Sequence, residues 1–269
     1  MSIMWVLFFS GVAGDCVINY FFARGATKPC SIVILTVRNF IMIGEPVLLS
    51  VRKDFPRPES SQVEALRGVP TGFIVDAQNG TGALGYQIKP LTNEMSFTGV
   101  VITAQAAPRD MLPVQPAIAL ASPGDVLVIA TAGYDGAAII GDNVAVMAKN
   151  KGLAAVVTDG LVRDVEGILD AGIPVFCAGV SPNSPYSRGP GSIGLPIALG
   201  NSVINSGDLL VGDRDGVVVI ARDQAGAVIN SLVELRKMEA ALETEVKGGL
   251  THMPWVDEYL RSNKVRYVE

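Results

Sequence analysis

The sequence predicts an α/β fold: a single domain with a mixed sheet flanked by helices, a β-rich second half and a long C-terminal helix. Three observations carry this. From residue 60 to residue 178, apolar strand-like runs alternate with helix-like segments, as in strands joined by helical crossovers. Short strands bounded by Gly, Asn and Asp follow to residue 221. Asp223–Lys247, rich in Ala, Leu, Val and Glu, then ends at Gly248-Gly249.

In order, Val51–Ser61 is polar and Pro-containing and reads as a lead-in, with Ser60 or Ser61 capping a short helix through Leu66. Pro70–Gln78 is a second short helix and the Gly-rich Asn79–Gly85 must turn. Phe97–Gln105 is a strand and Asp110–Leu120 a helix. Pro123-Gly124-Asp125 turns into the buried strand Val126–Thr131. A Gly-containing loop reaches Gly141-Asp142 and the helix Asn143–Lys151, whose apolar face holds Val144, Ala145, Met147 and Ala148. Leu153–Thr158 is a strand, Asp159-Gly160 a turn, and a short helix after Arg163-Asp164 runs to Ala171. Pro174–Ala178, Ile193–Ala198, Ser202–Ile204, Asp208–Val211 and Gly216–Ala221 are strands, and Trp255–Ser262 is a last short helix. The pattern Gly-Asp-x-Leu-Val at Gly124–Val128 returns loosely at Gly207–Val211 and is turn chemistry.

Composition excludes several function classes. Of 269 residues only 17% are charged and the net charge is −5, so no basic excess exists to hold a nucleic-acid backbone. The single histidine, His252, excludes a multi-His metal cluster. Three cysteines without a CxxC fit neither a disulfide scaffold nor a zinc ribbon, and Cys177 reads as a buried core thiol. His252, near the tail, reads as a solvated or helix-capping side chain. No GxGxxG, GxxxxGK[ST] or GxSxG stands at a strand–helix junction, which removes the support for dinucleotide, P-loop and α/β-hydrolase functions.

Residues 1–50 differ from the rest. They hold seven of the 17 aromatics and two of the three cysteines, Cys16 and Cys30. A signal peptide lacks its basic region before Met4–Ser10. A membrane helix over Met4–Ala23 is interrupted by Gly11, Gly14, Asp15 and Asn19. With neither helical nor strand periodicity, the segment is expected to be a hydrophobic extension outside the fold, such as an upstream start would add. The domain is then 51–269, expected to be cytoplasmic and without membrane contact.

Gly141–Asp164 (GDNVAVMAKNKGLAAVVTDGLVRD) carries the chemistry. Its crossover brings Gly141-Asp142, at a helix start, within reach of Arg163-Asp164, after a strand. First-turn amides around Asn143 and Val144 suit a carboxylate, which Arg163 can fix by paired hydrogen bonds. Asp164 can hold a hard divalent cation with Asp142 nearby, since Mg²⁺ commonly takes one carboxylate plus waters and substrate. The competing reading makes Asp142 and Asp164 helix caps and Arg163 a surface charge, and caps are frequent enough that spacing alone favours it. Ser181–Gly191 reads as a surface loop; its functional alternative is a lid or subunit contact with Arg188 as a ligand for a substrate tail.

Gly141–Asp164, continued by Ile173-Pro174-Val175, Gly207–Leu210 and Asp213–Ile220, resembles the signature of the RraA-like family. Pro70-Thr71 to Asp76-Ala77 resembles its first helix. The resemblance covers about residues 55–250 and none of 1–45. The family includes the regulator of ribonuclease activity A and the 4-hydroxy-4-methyl-2-oxoglutarate aldolases, on a swivelling-domain type of fold.

For this sequence the resemblance implies a metal-dependent class II aldolase. It would cleave 4-hydroxy-4-methyl-2-oxoglutarate to two pyruvates and decarboxylate oxaloacetate through the same pyruvate enolate. Gly141, Asp142, Asn143, Val144 and Arg163 would bind the 2-oxo acid. Arg163, Asp142 and Glu239 would be catalytic, with Glu239 supplied by a neighbouring subunit of a homotrimer or hexamer. Asp164 would ligate the metal, Mg²⁺ or Mn²⁺. Members often carry an acidic residue three positions beyond that Asp, where this chain has Gly167 and places Glu166 one residue earlier. The alternative is a non-catalytic regulator that binds and inhibits a ribonuclease, its acidic surface meeting a basic partner.

Overall fold

The computed structural model describes residues 47–269 and, in a separate unit spanning Met1–Pro46, the antiparallel strands Val17–Ile18 and Leu35–Thr36. The signal, membrane-helix and upstream-start readings, with Cys16 and Cys30, otherwise lie outside the described residues. Among the described residues no helix is long and apolar enough to cross a membrane. The second unit begins at Val47, before the boundary read at residue 51, because Leu49–Val51 is a strand paired with Gly191–Ile193.

The unit Val47–Glu269 is built on a nine-stranded mixed sheet. Its centre is parallel: Phe97–Ala106, Asp125–Ala130, Ala155–Thr158 and Val175–Cys177 lie side by side. Lys89–Pro90 closes one edge antiparallel. The hairpin Leu209–Asp213/Gly216–Ile220 pairs with the first half of Phe97–Ala106, and Gly191–Ile193 with its second half.

The central strands read as unbroken apolar runs because both faces are covered. Side chains alternate along them. Leu127 and Ile129 pack with Val144, Ala145 and Ile168 from the helices Asp142–Lys151 and Val165–Ala171. Val126 and Val128 face the opposite side, with Ile197, Leu199 and Leu210. Phe97 and Phe176 meet there edge to face, centroids 5.0 Å apart. A third cluster joins Leu66, the C-cap of the helix Ser60–Ala65, and Ile74 of the helix Thr71–Ala77 to Val228 and Leu232 of the long helix Ala225–Lys247.

Several expectations need correction. The strand read as Ile193–Ala198 is two strands, Gly191–Ile193 and Ile197–Leu199. Gly194 between them adopts φ +76, and Pro196 lacks an N–H for a ladder. Glu59, not Ser60 or Ser61, is the N-cap of Ser60–Ala65, its N–H donating to Gln62 Oε1 at 3.0 Å. The Gly-containing loop before Gly141 contains the strand Ala138–Ile140, whose three residues are too few for a period-two signal.

The polar lead-in is held by a forked ion pair. Arg57 Nη1 and Nη2 donate to the two oxygens of Asp125, each at 2.7 Å, and the Ser122 N–H donates to the same carboxylate at 2.8 Å. Asp125 is 1% exposed whereas Arg57 is 37% exposed, so water screens one partner only. Asp125→Ala is expected to lower the unfolding free energy by about 2–3 kcal/mol and Arg57→Ala by about 1–2 kcal/mol, below the cost of breaking a fully buried pair. Urea unfolding checks this; equal stability of Asp125→Ala and the unaltered chain would mean that the clamp contributes nothing.

Candidate active site

A small parallel sheet builds the site. Ala138–Ile140, Leu161–Val162 and Gly179–Val180 lie in parallel with Leu161–Val162 in the middle. Ile140 pairs with Val162, and the Arg163 N–H donates to the Ile140 carbonyl at 3.1 Å. Ile139, Ile140 and Val162 are buried, which anchors this register. The two strands therefore end together, and Gly141-Asp142 and Arg163-Asp164 emerge side by side at their carboxyl ends.

Gly141 is the N-cap of Asp142–Lys151, and its missing side chain is what lets the two segments touch. A Cβ there would stand 2.5 Å from Asp164 Oδ2 and 3.3 Å from Arg163 Nε. Arg163 Nε lies 3.2 Å from Asp164 Oδ2. Asp164 holds the N-cap position of Val165–Ala171 in a left-handed backbone, φ 56 and ψ 48, yet its side chain makes no capping hydrogen bond. The carboxylate turns instead toward Arg163 and Gly141. Nor is Asp142 a cap: it is the first helical residue, and its Oδ1 accepts the Asn143 N–H at 2.6 Å. The capping reading therefore fails at both aspartates. That internal bond also occupies one of the amides expected to meet substrate.

Gly141, Asp142, Asn143, Val144 and Arg163 line one cavity of about 220 Å³. Asp164 borders it through Arg163. Glu239 does not reach it within one chain: it is exposed on the distal half of the long helix, whose buried residues are Ala225, Val228 and Leu232. Sequence reasoning missed Gln115, Met111 and Ser184, which also line it. Ser184 Oγ accepts from Arg163 Nη1 at 2.6 Å, so the Ser181–Gly191 segment folds against the site. Its Pro/Gly-rich composition marked a loop but not the side chain that turns inward. Asp110 secures this loop by accepting the Arg188 N–H at 2.6 Å. Burial pushes the Asp110 carboxyl up, but the Leu112, Arg188 and Gly189 amides and the Arg188 charge outweigh it and hold the group below its ordinary value.

Gly167 also has a spatial reason. A Cβ at 167 would stand 2.7 Å from Asp142 Cβ, leaving no room for an acidic side chain there beside Asp142. Other candidates recede. Cys177 is buried, and burial pushes its thiol up, away from nucleophilic use. His252 Nε2 lies 3.2 Å from Asp257 Oδ1 at the tail helix. Three larger concavities, of about 660, 510 and 270 Å³, contain none of the predicted site residues. In the second, Asp159 is consumed by the amides of Thr131 and Gly133 and the Thr131 hydroxyl.

Two carboxylates face one guanidinium at this site, a balance that favours a bound cation. Among the described residues no three His, Cys, Asp or Glu side chains converge. An ion held by Asp164 would take its other ligands from water and substrate, as Mg²⁺ and Mn²⁺ sites do.

Comparisons with known proteins show the family. A Halalkalibacterium halodurans protein named "Putative 4-hydroxy-4-methyl-2-oxoglutarate aldolase" is 38% identical over 184 residues, 68% of this chain and 88% of that protein. A Streptomyces coelicolor structure, RraAS2, described as "an unusual member of the RNase ES inhibitor RraA protein family", superposes with a TM-score of 0.64 at 26% identity, covering 70% of this chain and all of that one. An uncharacterized protein from Pseudomonas syringae pv. tomato shares the fold, with a TM-score of 0.66 at 22% identity over 73% of this chain and 97% of that one. The family model described as Aldolase/RraA matches residues 71–219, more than half of the chain and the whole stretch from the Thr71 helix through the candidate cavity. The chain belongs to the RraA-like family.

Proposed function

We propose that this chain is a metal-dependent class II aldolase that cleaves 4-hydroxy-4-methyl-2-oxoglutarate to two pyruvates and decarboxylates oxaloacetate as a secondary activity. The observation that carries this is Asp164: a carboxylate at a helix N-cap that caps nothing and leans on Arg163 beside a second helix start. The name of the Halalkalibacterium halodurans relative supports the same reaction.

In the retro-aldol step the C3–C4 bond breaks, the C4 hydroxyl loses its proton and the bonding pair passes into a pyruvate enolate. Protonation at C3 completes the first pyruvate, and C4 becomes the carbonyl of the second. Arg163 holds the 2-oxo acid carboxylate with its planar fork and opposes the growing negative charge. Of the first-turn amides of Asp142–Lys151, the Asn143 N–H is taken by Asp142 Oδ1, and those of Asp142 and Val144 orient the substrate oxygens. Asp142 keeps a water in place for proton transfer. A Mg²⁺ or Mn²⁺ ion held by Asp164 supplies electrophilic stabilisation of the enolate charge when bound. Glu239 enters from a neighbouring copy in a homotrimer or hexamer, a role its exposure supports. The compartment proposed is the cytoplasm.

A second reading, a regulator that binds and inhibits a ribonuclease, draws on the description of RraAS2. The Asp142, Arg163 and Asp164 set favours the enzyme, because inhibition by surface contact has no use for it.

Pyruvate release from each substrate, followed with and without Mg²⁺ and a chelator, tests the assignment. Asp164→Ala is expected to lose both turnover and metal dependence, by about 100-fold or more, and Arg163→Ala to lose a similar factor. Full, chelator-sensitive activity in Asp164→Ala would sink the metal role. Gly141→Ala is expected to cut kcat at least about tenfold by displacing Asp164, with the melting temperature little changed. Unaltered kinetics in that variant would show that the close approach of Gly141 to Asp164 is dispensable.

A further inference from the structure

Arg163 has to hold a carboxylate in one place, yet its side chain is 37% exposed and reaches the cavity on a long stem of rotatable bonds. A guanidinium free to swing gives up rotamer entropy each time it takes a ligand. Here it is held beforehand. A Cβ at Gly141 would stand 3.2 Å from Arg163 Cγ, so the stem lies along bare backbone. Nε lies 3.2 Å from Asp164 Oδ2, and Nη1 donates to Ser184 Oγ at 2.6 Å.

These two partners are not equivalent. Asp164 is a carboxylate and offsets part of the charge that Arg163 offers to an anion. Ser184 is a neutral acceptor, whose hydroxyl orients the guanidinium and leaves its positive charge in place. The hydroxyl is itself fixed by its neighbours. Asn183 accepts the Ala138 N–H through its carbonyl and donates from Nδ2 to the Gly136 carbonyl, both at 3.0 Å. Ala138–Ile140 leads directly into Gly141. One three-residue strand therefore sets the level of both Ser184 and the helix start across from it. The Ser184 carbonyl also accepts from Arg109 Nε at 3.4 Å. Ser184 is exposed, so removing its hydroxyl opens no cavity in the core.

We propose that Ser184 is a positioning residue: its hydroxyl fixes the guanidinium of Arg163 without neutralising it, and the affinity of the cavity for a carboxylate depends on that bond. The inference rests on the proposed function, in which Arg163 holds the carboxylate of a 2-oxo acid. Ser184 acts through Arg163 and touches no reacting atom.

The test is nitrogen–proton NMR spectroscopy of the arginine side chains in the full chain, titrated with pyruvate in Mg²⁺. The Arg163 signals are identified by their loss in Arg163→Lys. A held guanidinium turns slowly about its Cζ–Nη bonds and gives resolved Nη hydrogens, which is the expected result for the unaltered chain. Ser184→Ala should merge those hydrogens and weaken pyruvate binding about tenfold, with the melting temperature unchanged. Ser184→Thr, which keeps the hydroxyl, should keep the hydrogens resolved and the affinity within about twofold. Ser184→Asp should keep them resolved yet weaken pyruvate, because a carboxylate takes the charge along with the geometry. Equal pyruvate affinity in Ser184→Ala and the unaltered chain overturns the positioning role, as does failure of Ser184→Thr to restore it. Nη hydrogens already merged in the unaltered chain overturn it whatever binds. No pyruvate response in the unaltered chain is instead the failure of the 2-oxo acid reading, and the dependence of affinity on Ser184 falls with it.

Discussion

The site depends on one backbone register, the parallel pairing of Ile140 with Val162. Two crossovers separate in sequence are brought to the same level by it, and everything polar in the cavity hangs from their ends. The pairing is irregular, with Ala138 opposite Leu161 and Ile140 opposite Val162, and Ala138, Ile139 and Ile140 are all buried. The Arg163 N–H donating to the Ile140 carbonyl at 3.1 Å fixes the level at which the two strands end. A backbone hydrogen bond between two buried strands therefore sets how close a guanidinium comes to the start of a helix.

From that register comes a series of close approaches. The bare backbone of Gly141 admits the Asp164 carboxylate, and the small Gly167 admits Asp142. Asp164 takes its place at the cost of a left-handed backbone, which buried Ile168 in the following helix helps to hold. Ser184 then ties the Ser181–Gly191 segment to Arg163, so a loop that looks independent in sequence becomes a wall of the cavity.

Net charge is a poor guide to the field at such a place. The chain carries −5 overall, yet Arg109, Arg163 and Arg188 gather along one rim. Over short distances the arrangement of charges outweighs their sum, so an acidic protein can present a cavity for an anionic acid. Asp110 keeps its charge in this neighbourhood because backbone amides hold its carboxyl below the ordinary range, and it serves the loop rather than the ligand.

The sequence by itself determined the mixed α/β class, the long C-terminal helix and the five cavity positions Gly141–Val144 and Arg163. These are local matters: apolar runs bounded by turns, a helix start with Gly and Asp, an Arg-Asp pair after a strand. Only the tertiary structure decided whether Asp142 and Asp164 cap helices, because capping and site roles use the same residue types at the same spacing, and the choice lies in where the carboxylate turns. Tertiary structure also enlisted Ser184, Gln115 and Met111 and left Glu239 outside its own chain's cavity. Those contacts join segments far apart in the chain. The strand Ala138–Ile140, too short to show a period, takes its shape only from the neighbour it pairs with.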